Sequence, residues 1–220
     1  MADMNIEQAR HNMIEQQIRP WDVLDQRVLE QILRTPREDF VPQAYRNAAF
    51  SDMMLPIGHD QVMMEPKLEA RMLQALAIQP HEKVLEVGTG SGYLTALLAG
   101  MASQVVSVEI VPELHQQAKA LLARHGIDNV ALEQGDAAGG WNAHQPYDAI
   151  AVTGSLPSLP QGLKDNLQIG GRLFAVVGEV PAMRAVLVTR INANEWREQT
   201  LFETVVPPLM SAQKVQHFTF

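Results

Sequence analysis

The sequence predicts an α/β fold in which a doubly wound, mostly parallel sheet carries helices on both faces. Apolar strand-like runs alternate with helical periods from residue 84 to residue 178, as parallel sheets require. A glycine-rich turn joins the first apolar run to the first of these helices. The length of 220 residues, 46% of them apolar, suits one domain with a full core.

The N-terminal part, residues 1–80, is predicted to cover the α/β domain of residues 81–220, so that the two form one compact unit. Helical spacing of apolar residues predicts two helices within 5–34, broken at Arg19-Pro20-Trp21, and a third over 67–78. The intervening stretch, 35–66, is rich in proline and has few regular periods. A loop of this length inside a compact domain is usually functional.

The remaining elements follow from periodicity and connection length. The predicted strands are 84–87, 104–109, 129–133, 147–153, 171–178, 184–190 and 198–206, and the predicted helices are 92–101, 112–125 and 158–168. The connections between the last three strands are too short for parallel crossovers, so these strands should pair antiparallel. We therefore predict a seven-stranded sheet in the order 3-2-1-4-5-6-7, ending in an antiparallel meander. The tail, 213–220, is apolar enough to be either a partner surface or a last strand.

Composition excludes several classes of function. The net charge of -8 disfavours a nucleic-acid partner, because phosphate backbones are bound by basic surfaces. No apolar run approaches the roughly 20 residues of a membrane span, and the first residues lack the basic and apolar regions of a secretory signal, so none is expected. The chain has no cysteine, and its 7 histidines lack metal-ligand spacing, so no metal site is expected. A cytoplasmic location is the simplest inference.

The glycine-rich turn, Glu86-Val87-Gly88-Thr89-Gly90-Ser91-Gly92, is the strongest local motif. A dinucleotide-binding fingerprint would need its third glycine at position 93, which is Tyr93. The spacing is instead G-x-G-x-G, with an acidic residue two positions before the first glycine. Glycines here let the backbone approach a ligand, and the following helix directs free N–H groups at it. This arrangement predicts a nucleotide-type pocket at the carboxyl edge of the sheet.

Two carboxylates follow the next two predicted strands. Glu109 ends the second strand, about 20 residues past the glycine loop, where a carboxylate accepts both hydroxyls of a ribose. Asp136 follows the third strand, where it is suitably placed for an adenine amino group. Strand-end carboxylates are often only solvated or turn residues. Together with the glycine loop, however, Glu109 and Asp136 complete a site for an adenosine ligand.

The glycine motif resembles the first motif of S-adenosylmethionine-dependent methyltransferases. Over roughly residues 10–208 the chain resembles, more specifically, the protein-L-isoaspartate O-methyltransferase family. The segments that carry this resemblance are Pro36-Arg37-Glu38-Asp39-Phe40-Val41-Pro42, Leu55-Pro56-Ile57-Gly58, Val84 to Tyr93, Ser107-Val108-Glu109-Ile110, Gly135-Asp136, Gly140-Trp141, Pro146 to Ile150 and Gly170-Gly171-Arg172-Leu173. The first two are specific to that family, whereas the glycine loop is common to many.

The resemblance implies a Rossmann-like methyltransferase fold, S-adenosylmethionine as methyl donor, and protein repair by methylation of the carboxylates of damaged aspartyl residues. It implies a protein or peptide substrate with isoaspartyl residues. The implied donor-binding residues are Glu86, Gly88, Thr89, Gly90, Ser91, Gly92, Glu109, Ile110, Asp136 and Ala137.

The chain departs from the family after Leu-Pro-Ile-Gly. Where the family has Gly-Gln-Thr-Ile-Ser, this chain has Asp60-Gln61-Val62-Met63-Met64, so Met64 stands at the position of the active-site serine. The catalytic candidates are therefore Asp60, Gln61 and Met64. Since methionine offers no hydrogen-bond donor, an alternative acceptor is a small aromatic or apolar molecule. A further alternative is a donor-binding interaction protein without catalysis.

Overall fold

A seven-stranded sheet forms the centre of the protein, in a computed structural model that describes residues 5–212. The strands are β1 Leu55–Gly58, β2 Gln61–Met63, β3 Lys83–Val87, β4 Gln104–Glu109, β5 Val130–Gln134, β6 Tyr147–Leu156, β7 Leu167–Glu179, β8 Ala182–Asn192 and β9 Glu195–Glu203. β1 and β2 form a separate antiparallel hairpin. The other seven lie in the order β5-β4-β3-β6-β7-β8-β9, parallel through β7 and antiparallel from β7 to β9. The predicted fold class and strand order are confirmed.

Within residues 5–212, six α-helices surround the sheet, and several begin where the sequence provides a cap. They are α1 Ile6–Met13, α2 Gln26–Arg34, α3 Pro66–Leu76, α4 Tyr93–Ala99, α5 Pro112–Arg124 and α6 Gln161–Asp165. The side chains of Asn5 and Asp25 accept N–H groups of the first turns of α1 and α2, as good N-caps do. A π-turn over Ile14–Ile18 and a 3₁₀ turn over Arg19–Trp21 carry the chain between these two helices, so the predicted break at Pro20 is observed.

The apolar residues of the strands alternate between two core clusters. Val84 of β3 packs on one face, in a cluster that also contains Met13 and Ile18 of the N-terminal segment. Leu85 and Val87, of opposite parity, pack in the cluster on the other face. The N-terminal helices therefore cover one face of the sheet, because the period-2 alternation of β3 presents apolar side chains to both sides.

Three predicted elements differ from the structure. The helix predicted over 158–168 is only α6, because Pro160 precedes its first residue and Leu167 already pairs with Tyr147 in the sheet. The last strand ends at Glu203 rather than 206, and the chain then turns back across the sheet edge. The 35–66 stretch contains the β1–β2 hairpin. The tail, 213–220, lies outside the described residues, and within 5–212 no helix is long and apolar enough to cross a membrane.

Candidate functional site

The glycine loop between β3 and α4 forms the floor of the candidate site. Gly88, Gly90 and Gly92 all have positive φ, of 91°, 55° and 83°, which side chains rarely adopt. A Cβ at Gly88 would lie 2.4 Å from Oγ1 of Thr153 on β6. Only glycine therefore allows the loop to lie this close to the neighbouring strand. The Thr153 hydroxyl is directed at the carbonyl oxygens of Val87 and Gly88, at 2.9 Å and 2.8 Å.

Glu109, at the carboxyl end of β4, is tied to this loop. Its Oε2 accepts the Gly90 N–H at 2.8 Å and its Oε1 accepts the Val111 N–H at 2.9 Å. Although its side chain is buried, the residue lines the cavity in front of the loop. An ionised carboxylate has about four acceptor sites, so Glu109 retains capacity for ligand hydroxyls.

Asp136 follows β5 and lines a second, smaller cavity together with Ile110 and Ala137. Its Oδ1 accepts the Ala138 N–H at 3.0 Å and the Ser211 hydroxyl at 2.6 Å. Its Oδ2 has no hydrogen bond among residues 5–212. The predicted adenine-binding carboxylate is thus at the expected edge of the sheet, and one of its oxygens is engaged by the chain itself.

Glu86 and Thr89 lie behind the loop rather than in front of it. The Glu86 side chain is fully buried, and its Oε2 accepts the hydroxyls of Thr95 and Ser107, each at 2.5 Å. The Thr89 hydroxyl lies 2.6 Å from that of Ser107. Burial raises the pKa of Glu86 to about 8, despite these hydrogen bonds, and the nearby Glu109 carboxylate raises it further. Both residues hold the loop, and neither lines the cavities described here.

The β1–β2 hairpin forms the opposite wall. Gln61 and Met64 line the same cavity as Gly88, whereas Asp60 is exposed in the hairpin turn, where it has a positive φ of 57°. Asp60 is not among the residues that line this cavity. Ser91 lines a neighbouring groove on the other side of Ile57. The three catalytic candidates are thus not equivalent, because only Gln61 and Met64 face the glycine loop.

A segment that the sequence did not reveal closes the site from above. After β9 the chain passes over the ends of β3, β4 and β6, and residues 206–210 line the cavity. Ser155 of β6 bonds to this segment on both sides of Pro208, since its N–H donates to Pro207 and its carbonyl accepts the Leu209 N–H. A Cβ at Gly154 would lie 2.8 Å from the Leu209 side chain. The only sequence signal was the pair of prolines, 207 and 208.

The closing segment, residues 206–212, divides the space above the glycine loop. The cavity beside Glu109 has a volume of about 70 Å³ and the one beside Asp136 about 30 Å³, with Leu209 and Met210 lining both. Small-molecule pockets usually have roughly 300–1,000 Å³. Each cavity, with the side chains as they stand, is smaller than a nucleoside that spans from Glu109 to Asp136.

Arg37 supports the hairpin wall from behind. It is fully buried, its Nη1 bonds to the carboxylate of Glu69, and its Nε donates to the Ala49 carbonyl at 2.9 Å. Its Nη2 donates to the carbonyl of Met64 at 2.6 Å, and the guanidinium lies 4.8 Å from the centre of the Tyr93 ring. One side chain thus connects the hairpin wall to the first residue of α4.

The comparisons with known proteins agree with this geometry. The model of the protein-L-isoaspartate(D-aspartate) O-methyltransferase family matches residues 8–214. The protein-L-isoaspartate O-methyltransferase 1 of Rhodopseudomonas palustris is 43% identical over 91% of this chain and 82% of its own. The corresponding enzyme of Syntrophus aciditrophicus is 43% identical over 89% of this chain and 90% of its own. The chain belongs to the protein-L-isoaspartate(D-aspartate) O-methyltransferase family.

Solved structures give the same fold. A protein-L-isoaspartate O-methyltransferase that is 24% identical superimposes with a TM-score of 0.80, over 91% of this chain and 65% of that longer one. A Plasmodium falciparum structure described as a putative member of the family, in complex with S-adenosyl-L-homocysteine, is 22% identical and gives a TM-score of 0.78 over 94% of this chain and 99% of its own. At these identities the likeness establishes the fold alone.

Within this family the structure brings most of the predicted donor-binding residues together. Gly88, Gly90, Glu109 and Ile110 share one cavity, and Asp136 with Ala137 forms the adjoining one. Among residues 5–212, no cluster of three or more His, Asp or Glu residues that could hold a metal ion is found.

Proposed function

We propose that this protein is an S-adenosylmethionine-dependent methyltransferase that esterifies the carboxylates of isoaspartyl residues in damaged proteins or peptides. Family membership supports both the reaction and the acceptor class. The observation that carries the proposal is the placement of Glu109 and Asp136 in two adjoining cavities that share Gly88, with Met64 across from the loop. The carboxylates of Glu109 and Asp136 suit the hydroxyls and the amino group of an adenosine. The cavity beside Glu109 also extends to the hairpin.

The residues around the glycine loop fit the methyl donor. Glu109 would accept the ribose hydroxyls, and the unpaired Oδ2 of Asp136 would accept an adenine N–H. A Cβ at Gly88 would clash with Oγ1 of Thr153, so only glycine keeps the loop in the position that forms the floor of the cavity. S-adenosylmethionine, when bound, supplies a methyl group on a positively charged sulfur. The buried Glu86 lines neither cavity and keeps the loop in place through Thr95 and Ser107.

The acceptor side requires alignment more than activation. A carboxylate is already a nucleophile at neutral pH, so the protein has to hold it in line with the methyl group. Gln61 supplies a side-chain N–H donor to the cavity wall, where Val62 and Met64 supply none. Repulsion of an acidic acceptor by the two carboxylates near the hairpin is limited, because Glu65 is paired with Lys67 at 3.2 Å and Asp60 is at the exposed hairpin turn.

A second candidate function is methyl transfer to a small aromatic or apolar acceptor. The observation that favours it is the apolar hairpin wall, in which Ile57, Val62 and Met64 line the cavity. Methionine makes favourable contacts with aromatic rings and adapts to irregular shapes. Such an acceptor would need no hydrogen-bond donor at the position of the family serine.

The test is a methyl-transfer assay with labelled S-adenosylmethionine, an isoaspartyl peptide and its normal aspartyl twin. Calorimetry first measures donor binding by the wild-type protein, by Glu109→Ala, and by Glu113→Ala as a matched control on the exposed face of α5. We expect Glu109→Ala alone to weaken binding, and label to appear only in the isoaspartyl peptide.

Each other result contradicts a specific part of the proposal. Donor binding with no label in either peptide would refute isoaspartyl methylation and direct the search to small acceptors or to a binding protein without catalysis. Absence of donor binding would refute the assignment of the glycine loop.

A cytoplasmic location is proposed from the cysteine-free composition, and separation of cell fractions tests it.

A further inference from the structure

A groove with a volume of about 600 Å³ runs along one side of α5. Its other wall is the segment 38–46, which ends within the 3₁₀ turn of Gln43–Ala48. Ile57 and Leu114 line both this groove and the cavity beside Glu109. The α5 groove therefore begins at the candidate active site and leads away from it.

The length of the α5 groove matches a short extended peptide. Its α5 wall runs from Leu114 to Arg124, which are ten helical steps apart and therefore roughly 15 Å apart at ~1.5 Å per residue. An extended chain rises about 3.3 Å per residue, so roughly four to five residues cover the same distance. A polypeptide whose methylated residue sits at the hairpin would thus reach Arg124 with its fourth or fifth neighbour.

The chemistry of the walls also suits a peptide. Phe40 and Leu121 supply apolar surface for side chains. Gln43 and Gln117 face the groove with side-chain amides that make no hydrogen bond within residues 5–212. Such amides both donate and accept, as the backbone of an extended segment requires.

The acidic side chains of the α5 groove are paired with cations, whereas one of its arginines is unpaired. Glu38 pairs with Arg10 at 2.6 Å, and Asp39 lies 3.3 Å from Arg46 and 3.5 Å from His125. Both acidic side chains of the groove are thus already offset by cations. Arg124, at the far end of the α5 wall, makes no ion pair or hydrogen bond with any residue of the described part of the chain. The groove therefore ends on an unpaired positive charge, in a protein whose net charge is -8.

We propose that the α5 groove binds the part of the acceptor polypeptide that flanks the methylated residue, and that Arg124 selects acceptors with an acidic residue four or five positions away. The proposal rests on the proposed function for the identity of the acceptor. It adds a specificity-determining residue outside the site itself. Arg124 lines this groove but neither cavity above the glycine loop, so we expect it to act on acceptor binding.

The experiment uses isoaspartyl peptides in which a single Glu is placed two to six positions away on either side, with Gln at the same position as the reference. Binding to the protein loaded with S-adenosyl-L-homocysteine is measured by fluorescence anisotropy, and methyl transfer is measured in parallel. Exposed ion pairs contribute little, so we expect a Glu at the fourth or fifth position to tighten binding about two- to fivefold. Arg124→Glu should abolish this preference. A peptide with Lys at the fourth or fifth position should then bind to the variant better than a peptide with Glu there.

Arg197→Glu is the matched control, because Arg197 is an exposed residue of β9 that does not line the groove. An unchanged position profile in Arg124→Glu would overturn the proposal, as would an equal change in Arg197→Glu. The two proposals also fail separately. Transfer to isoaspartyl peptides without a charge preference refutes the groove alone. An Arg124-dependent binding preference without any transfer refutes the methylation of isoaspartyl residues and leaves the groove.

Discussion

The buried carboxyl of Glu86 predicts an unusual dependence of stability on pH. The residue is fully buried, its Oε1 has no hydrogen-bond partner, and its pKa is raised from 4.5 to about 8, chiefly by burial. Between these two values the folded protein holds a proton that the unfolded chain has lost. The free energy of unfolding therefore falls as pH rises from about 4.5 to about 8. Each pH unit corresponds to ~1.4 kcal/mol, so the full change is about 5 kcal/mol.

The substitution Glu86→Gln removes this titration but keeps an oxygen for the hydroxyls of Thr95 and Ser107. Near pH 5 the variant should be less stable than the wild type, because its amide N–H groups lie where Oε1 has no partner, at a cost of about 1–3 kcal/mol. Above pH 8 it should be more stable. Urea unfolding at a series of pH values measures both curves, and their difference cancels the other titrating groups.

Glu82→Gln is the control, because the pKa of Glu82 is shifted in the opposite direction to that of Glu86. Burial raises the pKa of Glu82, but hydrogen bonds from Arg172 and from the Gln79 N–H outweigh it, so the pKa is lowered overall. The stability that Glu82 contributes is therefore present at neutral pH and is lost as pH falls through its lowered pKa. The Glu82→Gln curve should run parallel to the wild-type curve between pH 5 and pH 8. If the Glu86→Gln curve were parallel there too, Glu86 would be ionised in the folded protein and the reasoning would be refuted.

Three substitutions, the last of them with a matched control, test the site itself. Met64→Ser should raise kcat for an isoaspartyl peptide by on the order of 10²-fold, since it restores one hydrogen-bond donor, and an unchanged kcat would place Met64 away from the acceptor. Ser211→Ala removes the hydroxyl that holds the closing segment to Asp136. We expect S-adenosyl-L-homocysteine to dissociate about tenfold faster from this variant, as measured by stopped-flow fluorescence. An unchanged dissociation rate would mean that this contact does not limit release. Arg37 donates to the Met64 carbonyl, so Arg37→Lys should raise KM for the acceptor and leave the affinity for the donor unchanged. The control is Arg172→Lys, at an arginine that pairs with Glu82, and it should change stability without changing KM.

The fold and the donor end of the site could be predicted because their signals are local. The glycines at 88, 90 and 92 indicate a loop with positive φ angles, because glycine adopts such angles readily. Strand periodicity places Glu109 and Asp136 at one edge of a parallel sheet. Connection length alone required the antiparallel end of the sheet. These features depend on neighbours in the chain and on topology, which a sequence specifies directly.

Tertiary structure decided what those residues face. A glutamate in the glycine motif could point to the ligand or to the core, and the strand register buries Glu86 against Thr95 and Ser107. The closing segment over the site, the Arg37 contact with Met64 and the groove along α5 all join residues far apart in the chain. Such contacts depend on how packed elements meet in space. The sequence by itself therefore determined the sheet and the edge at which donor binding is proposed, and only the packed structure determined how the site is closed, supported and approached.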